Sequence, residues 1–323
     1  MKTQDFTAIN NLTVGVTTVA FSKNETLIAQ IKKMGFKEVF INEKGKRFTK
    51  DELILFLSKC DIAIVGLDKI DKSVLSKTTK LKSISKYGVG LDNINFEDCE
   101  TYNIKVLYSP GVNKRSVSEM VLGFMLGLAR NLFITSNLLK NGTWKKNGGI
   151  ELSGKKIGII GVGNIGKDLI SLLKSFNCEI LVNDIVDQKK YYKENNLLEV
   201  SKEFIFKNSD FITVHVPLDN STENIINKKS LSTMKPSSFV INTARAGIIN
   251  QEDLKWALQN EIIAGAAIDV YENEPPLDND LLLLSNLINT PHIGGNSKEA
   301  VEAMGTSAIN NILNWINKFN QKN

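Results

Sequence analysis

Histidine, cysteine and arginine are scarce in this sequence of 323 residues, which contains two histidines, three cysteines and four arginines. Cys60, Cys99 and Cys178 stand far apart and form no C-x-x-C pair. Such spacing predicts neither a disulfide framework nor a zinc site. We therefore expect neither disulfide bonds nor a bound metal.

Long apolar runs are missing as well. The longest run, VLGFMLGLA at residues 121–129, is shorter than the roughly 20 residues that a helix needs to cross a bilayer. The first residues, MKTQDFTAINNLT, have no apolar core of the kind that a secretory signal requires. These absences predict a cytoplasmic protein that does not engage a membrane.

Clustered positive charge is also absent. The net charge of +5 comes almost wholly from lysines that are scattered along the chain. A surface that binds nucleic acid needs its positive charge on one face or along one helix, so we expect no nucleic-acid partner. At roughly 100–200 residues per domain, the length predicts two domains.

Short runs rich in β-branched residues alternate with longer segments of polar and apolar residues, and this pattern occurs in two series. The predicted strands of the first series start at residues 12, 38, 61, 81 and 104, and those of the second at 156, 179, 211, 239 and 264. This alternation predicts βαβ units and parallel sheets that are covered on both faces. No linker rich in Pro, Gly or Ser separates the two series, so we expect a helix to join them.

The segment that joins the series, from Asn113 to about Trp144, is apolar on nearly every side. Ser116 and Glu119 have the spacing of a capping box near its start. A helix that is apolar all round is predicted to be buried. The sequence leaves open whether its partner is its own monomer, another domain or another subunit.

The most informative motif is GVGNIG at residues 161–166, which follows an apolar strand and opens an amphipathic helix. In that context G-x-G-x-x-G holds the pyrophosphate of a dinucleotide at a helix N-terminus. Gly161 permits the tight turn, Gly163 lets the backbone approach the phosphates, and Gly166 lets helix and strand pack closely. Asp184, after the next strand, is predicted to accept from a ribose 2′-hydroxyl and to repel the 2′-phosphate of NADP, which favours NAD.

Other strands of the second series also end in residues suited to a ligand site. Ligands of open α/β sheets bind beyond the carboxyl ends of the strands. The residues found there are His215, Val216, Pro217, Thr243, Ala244, Arg245 and Asp269. For His215, a residue that simply ends a strand is as good an interpretation as one that lines the cofactor site.

His292 lies between Pro291 and the pair Gly294–Gly295. The proline restricts the backbone, and the glycines let the chain pass close to a ligand. Glu274 lies in a proline-rich loop after the strand that ends near residue 269, and Arg245 follows another strand. Each residue alone is more often structural, but their joint appearance at three predicted strand ends beside a dinucleotide motif favours a catalytic site.

Taken together, these motifs resemble the D-isomer specific 2-hydroxyacid dehydrogenases, the group that includes D-3-phosphoglycerate dehydrogenase. The resemblance runs over most of the chain. It is carried by KYGVGLDNI at 86–94, GVNKRSVSE at 111–119, GVGNIG at 161–166, VHVPL at 214–218, INTARAG at 241–247, DVYENEPP at 269–276 and TPHIGG at 290–295.

The resemblance implies an α/β fold of two doubly wound parallel-sheet lobes with the active-site cleft between them. A flavodoxin-like substrate domain is expected from residues 1–108 and 296–323, and a Rossmann NAD-binding domain from residues 109–295. Family members are commonly homodimers, paired through the long helix that starts near Ser116. Nothing after the last predicted helix resembles the regulatory domain of the longer phosphoglycerate dehydrogenases, so feedback by serine through that domain is not expected.

The resemblance also implies a role for each site residue. Arg245 would hold the substrate carboxylate and the C2 oxygen, His292 would exchange the proton of the C2 hydroxyl, and Glu274 would orient the imidazole. Backbone amides in the segment formed by Tyr87, Gly88, Val89 and Gly90 would receive the carboxylate. The residues expected to contact NAD are Val89, Gly161, Gly163, Asn164, Ile165, Gly166, Asp184, His215, Val216, Pro217, Thr243, Ala244, Asp269 and Gly294.

Lys86 favours a phosphorylated substrate, because phosphoglycerate-type members of the family carry a basic residue there. The expected substrate is a small 2-hydroxy or 2-keto acid, 3-phosphoglycerate or equivalently 3-phosphohydroxypyruvate. An unphosphorylated 2-keto acid such as hydroxypyruvate or glyoxylate is the alternative. Corepressors of this fold bind NAD(H) as sensors and retain the same three residues, so an NAD(H)-sensing protein remains open as well.

Overall fold

A computed structural model describes residues 9–320 of the chain. These residues form two compact units. Unit 1 runs up to Asn113 and resumes at Asn296, and unit 2 is Lys114–Gly295. The first division thus lies a few residues after the predicted one at 108–109. The prediction that no secretory signal is present concerns a segment whose residues 1–8 lie outside the described part.

Unit 1 is built on a five-stranded parallel sheet in the order β2-β1-β3-β4-β5, which is the flavodoxin-like order. Its strands are β1 Thr13–Val16, β2 Glu38–Ile41, β3 Ile62–Val65, β4 Ser83–Lys86 and β5 Lys105–Leu107. Its helices are α1 Val19–Ser22, α2 Glu25–Lys33, α3 Lys50–Leu57, α4 Lys72–Leu75, α5 Phe96–Thr101 and, from the C-terminal segment, α14 Lys298–Asn320. The run IAIV of β3 is buried throughout because helices cover both faces of the sheet.

Unit 2 is built on a seven-stranded parallel sheet in the order β12-β11-β10-β9-β6-β7-β8. Its strands are β6 Lys156–Ile160, β7 Glu179–Asn183, β8 Leu198–Glu199, β9 Phe211–Val214, β10 Phe239–Asn242, β11 Gly265–Ile268 and β12 Leu287–Asn289. Its helices are α6 Lys114–Ala129, α7 Leu132–Lys140, α8 Asn164–Leu173, α9 Lys189–Glu194, α10 Lys202–Asn208, α11 Lys228–Leu231, α12 Gln251–Gln259 and α13 Asn279–Leu282. The strand order reverses at β6, so the carboxyl end of β6 is the point at which a doubly wound sheet binds its ligand.

The two parallel sheets confirm the predicted fold class. The strands that the sequence predicted all form, and the burial of β3 and β11 explains why these two consist of continuous apolar runs. Strand β8, an exposed edge strand of two residues, is not among the predicted strands, because a run this short has no recognisable periodicity.

The long helix predicted between the two series is broken into α6 and α7. Asn131 adopts a left-handed φ of 52° at the break. The predicted capping box is wrong, because α6 begins at Lys114 and Ser116 therefore lies inside its first turn. Val121 and Met125 of α6 are fully buried within unit 2. Helix α7, by contrast, buries none of its residues.

No single helix in the described part of the chain is long and apolar enough to cross a membrane. Helices α6 and α7 meet that test of length and composition only when taken together, and they are bent by 62°.

Candidate active site

The three predicted catalytic residues follow three neighbouring strands of unit 2. Arg245 comes after β10, Glu274 lies in the loop after β11, and His292 comes after β12. Because these strands are parallel, their carboxyl ends lie at the same edge of the sheet. The topology thus places the guanidinium, the carboxylate and the imidazole on adjacent loops.

His292 and Glu274 are joined directly by a hydrogen bond. Nδ1 of the imidazole lies 2.8 Å from Oε1 and 2.9 Å from Oε2 of the carboxylate. The two side chains remain open to solvent, with 39% and 36% of their surface exposed. A carboxylate on one ring nitrogen orients the imidazole and directs its acid–base chemistry to the other nitrogen, Nε2.

The turn that carries His292 is folded around the carboxylate of Asp269. This side chain is 1% exposed, and its Oδ1 accepts from Thr290 Oγ1 at 2.6 Å and from Ile293 N at 2.8 Å. Its Oδ2 accepts from Gly294 N at 2.7 Å. His292 itself has a φ of +55°, a left-handed conformation that few residues other than glycine adopt. The hydrogen bonds on both sides hold it there.

Tyr271 also stabilises this turn, although it is not among the predicted site residues. Its hydroxyl donates to Thr290 O at 3.0 Å, and its backbone N–H donates to Glu274 Oε1 at 3.3 Å. Burial raises the pKa of the Tyr271 hydroxyl to about 12, so it stays a donor at neutral pH. An aromatic residue between Asp269 and Glu274 in the motif DVYENEPP was the signal available for it.

Arg245 lies at the start of a short turn after β10. Its Nη1 donates to Ala244 O at 2.7 Å, and its own carbonyl accepts from Asn242 Nδ2 at 2.8 Å. The second of these bonds ties the backbone of Arg245 to the end of the strand. A permanent cation is therefore held on the loop next to that of Glu274.

The three positions of the motif at 161–166 that are glycine differ in the steric reason for that residue. A Cβ at Gly161, which has a φ of +97°, would lie 2.6 Å from His215 O, and one at Gly166 would lie 2.3 Å from Gly161 O. No atom comes within 4 Å of a Cβ built at Gly163. Gly163 precedes α8 without a side-chain cap, so it leaves open space in front of backbone N–H groups that can receive an anion.

Asp184 fastens the glycine loop to the end of β7. Its Oδ2 accepts from Val162 N at 2.6 Å, and its Oδ1 accepts from Val186 N at 2.9 Å. The carboxylate predicted to meet a ribose is thus held in a fixed position beside the loop. The remaining residues of unit 2 predicted to contact NAD lie at the start of α8 or directly after β9 and β10: Asn164, Ile165, Val216, Pro217 and Ala244.

Two buried polar atoms at the same edge lack a hydrogen-bond partner among the described residues. They are Nδ1 of His215, after β9, and Oγ1 of Thr243, after the adjacent β10. His215 Nε2 lies 3.0 Å from Thr213 Oγ1. Because buried polar atoms are almost always paired, these two atoms fit a polar ligand beside the glycine loop, as a dinucleotide would be. Within residues 9–320, no group of three or more His, Cys, Asp or Glu side chains could hold a metal ion.

The His215 imidazole is expected to make stability depend on pH. Burial lowers its pKa from 6.5 to about 4, so between these values the unfolded chain binds the proton more readily than the folded chain. This contribution to stability is complete above about pH 6.5 and falls as the pH drops, by about 2 kcal/mol at about pH 5.

The test is the melting temperature of the native chain and of His215→Asn at about pH 7 and about pH 5. The native chain should lose about 4–8 °C more than the variant. Equal losses in the two proteins would show that His215 is not responsible.

The predicted substrate residues of unit 1 lie at the end of β4, where Lys86 is the last residue of the strand, and directly after it. Lys86 is 4% exposed, and its Nζ donates to Gly66 O and, at 2.7 Å, to Asn93 Oδ1. Tyr87 is also buried, and Gly88 has a φ of +99° that favours glycine. The chain therefore bends directly after β4, at residues 87–89, while the ammonium of Lys86 is bonded within its own unit.

Comparison with known proteins identifies the family. Residues 122–294, more than half of the chain, match the family described as D-isomer specific 2-hydroxyacid dehydrogenase, NAD binding domain. The chain belongs to the D-isomer specific 2-hydroxyacid dehydrogenase family. The match covers the glycine loop and the segment with His292, and it confirms the predictions of the family and of NAD as the cofactor.

Individual members of this family resemble the chain along most of its length. Hydroxypyruvate reductase of Thermotoga maritima is 37% identical over 279 residues, which are 83% of this chain and 89% of that protein. D-3-phosphoglycerate dehydrogenase of Methanocaldococcus jannaschii is 38% identical over 281 residues, 85% of this chain and 53% of that one, so the chain spans about half its length. The crystal structure of the TT0316 protein from Thermus thermophilus has a TM-score of 0.84 at 27% identity, covering 94% and 96% of the two chains.

Proposed function

We propose that the chain catalyses the NAD-dependent interconversion of a D-2-hydroxy acid and the corresponding 2-keto acid. The observation that carries this proposal is the hydrogen-bonded pair of Glu274 and His292 at the sheet edge that also holds the glycine loop. The pair supplies an oriented acid–base group, and the loop suits a dinucleotide.

In this reaction the C2 carbon loses a hydride and its hydroxyl loses a proton. NAD, when bound, supplies the hydride acceptor. His292 takes the hydroxyl proton at Nε2 and returns it to the C2 oxygen in the direction of reduction. Glu274 holds the opposite face of the ring through Nδ1 and stabilises the imidazolium that forms. Arg245 binds the substrate carboxylate, because its planar guanidinium can donate two parallel hydrogen bonds to the two carboxylate oxygens.

Two of the candidate substrates differ only by a phosphate on the C3 oxygen. 3-Phosphohydroxypyruvate is supported by the likeness to D-3-phosphoglycerate dehydrogenase and by the cation of Lys86. Hydroxypyruvate is supported by the likeness to hydroxypyruvate reductase. It is also supported by the burial of Lys86, whose ammonium already donates to Gly66 O and Asn93 Oδ1 and would have to share its protons with a phosphate.

The matched pair of substrates allows a direct experiment. NADH oxidation is measured with hydroxypyruvate and with 3-phosphohydroxypyruvate, for the native chain and for Lys86→Met. If Lys86 binds the phosphate, kcat/KM for the phosphorylated acid alone falls by about 10- to 100-fold. If Lys86 only stabilises its own unit, the ratio of the two kcat/KM values stays the same and the melting temperature falls.

The remaining alternative is an NAD(H) sensor without catalytic turnover. NADH that binds the native chain, as measured by fluorescence titration, but is oxidised with none of hydroxypyruvate, 3-phosphohydroxypyruvate and glyoxylate would favour that alternative over the oxidoreductase.

We also propose that the protein is a homodimer in which α7 and the segment after it meet a second copy. This surface exposes large apolar side chains that the fold of unit 2 leaves uncovered. They are Leu132, Phe133, Leu139 and Trp144, the last of which is 77% exposed. Apolar patches of this kind mark association surfaces. Sedimentation velocity should show a dimer that Trp144→Lys weakens, and a native chain that sediments as a monomer would rule the proposal out.

A further inference from the structure

The first turn of α6 contacts two parts of the candidate site at once. Lys114, where the helix begins, is also the first residue of unit 2. Arg115 and Ser116 of this turn, together with Ser118 at the start of the next turn, make hydrogen bonds to partners far away in the sequence. Their partners are the helix that follows the glycine loop and the turn that carries His292.

The first contact is to Asp168, which lies on α8 two residues after the last glycine of the loop. Arg115 approaches its carboxylate with two nitrogens, Nε at 3.0 Å from Oδ2 and Nη2 at 3.1 Å from Oδ1. Ser118 Oγ donates to the same Oδ2 at 2.5 Å. The carboxylate of Asp168 is shielded from solvent, with 8% of the residue exposed. Its paired hydrogen bonds with Arg115 therefore hold α8 against α6.

The second contact is to the backbone of the His292 turn. Ser116 Oγ donates to Gly294 O at 2.6 Å. The N–H of the same Gly294 is held by Asp269, so both polar groups of this residue are bound from opposite directions. A Cβ at Gly294 would lie 3.7 Å from Met120 and 3.8 Å from Val117, which shows that the turn also packs against α6.

We propose that Ser116 is a positioning residue for His292, and that Asp168 with Arg115 and Ser118 anchors the turn of α6 to the helix that carries the glycine loop. The proposal rests on the oxidoreductase function proposed above. The reaction requires the imidazole of His292 and the bound cofactor to keep a fixed relative position. The start of α6 is hydrogen-bonded both to the turn that carries His292 and to α8, the helix that follows the glycine loop. Ser116 acts through Gly294 and does not touch the reacting atoms.

The proposal predicts that two serines at the start of α6, when replaced by alanine, have different effects. Ser116→Ala should lower kcat by about tenfold, because a small displacement of a catalytic group costs this much or more. Its dissociation constant for NADH should stay within about twofold of the native value. Ser118→Ala should instead raise the dissociation constant for NADH by about three- to tenfold, with kcat at saturating NADH within about twofold of native.

Ser116→Thr is the rescue variant, because it keeps the hydroxyl, and it should restore most of kcat. Three results would overturn the proposal: native kcat in Ser116→Ala, the same pattern of changes in both alanine variants, or failure of the threonine to restore activity. A merely structural role would lower the melting temperature in both variants without separating kcat from NADH binding.

Hydrogen exchange of the native chain and the variants separates this proposal from the function on which it rests. Ser116→Ala should speed exchange in the segment 290–295, and Ser118→Ala should not. If the native chain reduces no 2-keto acid, the proposed function fails while this measurement still decides the positioning role. Unchanged exchange in Ser116→Ala would overturn the positioning role even in an active enzyme.

Discussion

Replacement of His292 by asparagine is expected to lower kcat by about a hundred- to ten-thousand-fold, the contribution typical of a positioned acid–base group. Asparagine cannot take up the proton, but it tolerates the left-handed backbone that His292 adopts at a φ of +55°. The turn around Asp269 should therefore persist. Stopped-flow or steady-state oxidation of NADH measures kcat, and fluorescence titration should give an unchanged affinity for NADH.

Glu274→Gln is the companion substitution, because it tests the carboxylate that is hydrogen-bonded to His292. It keeps the length of the side chain and a hydrogen bond to Nδ1, but it removes the charge that favours the imidazolium. We expect a smaller loss of kcat than in His292→Asn, because Nε2 of the imidazole can still exchange the proton. Retention of a tenth or more of the native kcat in His292→Asn would be incompatible with an acid–base role for this residue.

Replacement of Asp269 by asparagine is expected to damage both stability and turnover. The buried carboxylate accepts three hydrogen bonds from the turn at Thr290, Ile293 and Gly294. An amide group in its place would turn an N–H toward these donors and leave at least one of them unpaired. We expect a loss of about 2–4 kcal/mol in the free energy of unfolding, because each bond to a charged acceptor contributes about 1.5–3 kcal/mol.

This loss corresponds to a melting temperature about 5–15 °C lower, and kcat should fall because the His292 turn loosens. Asp187→Asn is the control, since Asp187 is an exposed carboxylate in the same unit, with 68% of its side chain accessible. That variant should change the stability by less than about 0.5 kcal/mol. A native melting temperature in Asp269→Asn would show that the carboxylate does not hold the turn together.

The fold and the cofactor loop could be predicted from the sequence because their determinants are local. A buried parallel strand such as β3 needs a short apolar run, and the glycine loop needs glycine at fixed spacing within six residues. The predicted strand ends also place Arg245, Glu274 and His292 on neighbouring loops. The resemblance added their roles, which the geometry of the Glu274–His292 pair supports.

Other features depend on residues that meet only in the folded chain. The capping box predicted for Ser116 was a local interpretation, whereas its hydroxyl bonds Gly294, which lies 178 residues away. The partner of Arg115 lies 53 residues away on α8. Neither pairing leaves a periodic or spaced pattern in the sequence, so neither could be read from it.

The sequence by itself determined the two α/β units and the NAD loop, because periodicity and motif spacing encode them over short stretches. It also predicted that Glu274 and His292 lie at neighbouring strand ends, and the family resemblance supplied the acid–base role that we propose for them. Only the tertiary structure decided which atoms hold these parts in place: the carboxylate of Asp269 under the histidine turn, the hydroxyl of Ser116 on Gly294, and the enclosed ammonium of Lys86. The physical reason is that a buried polar group must find its partner wherever the packed chain brings one within reach.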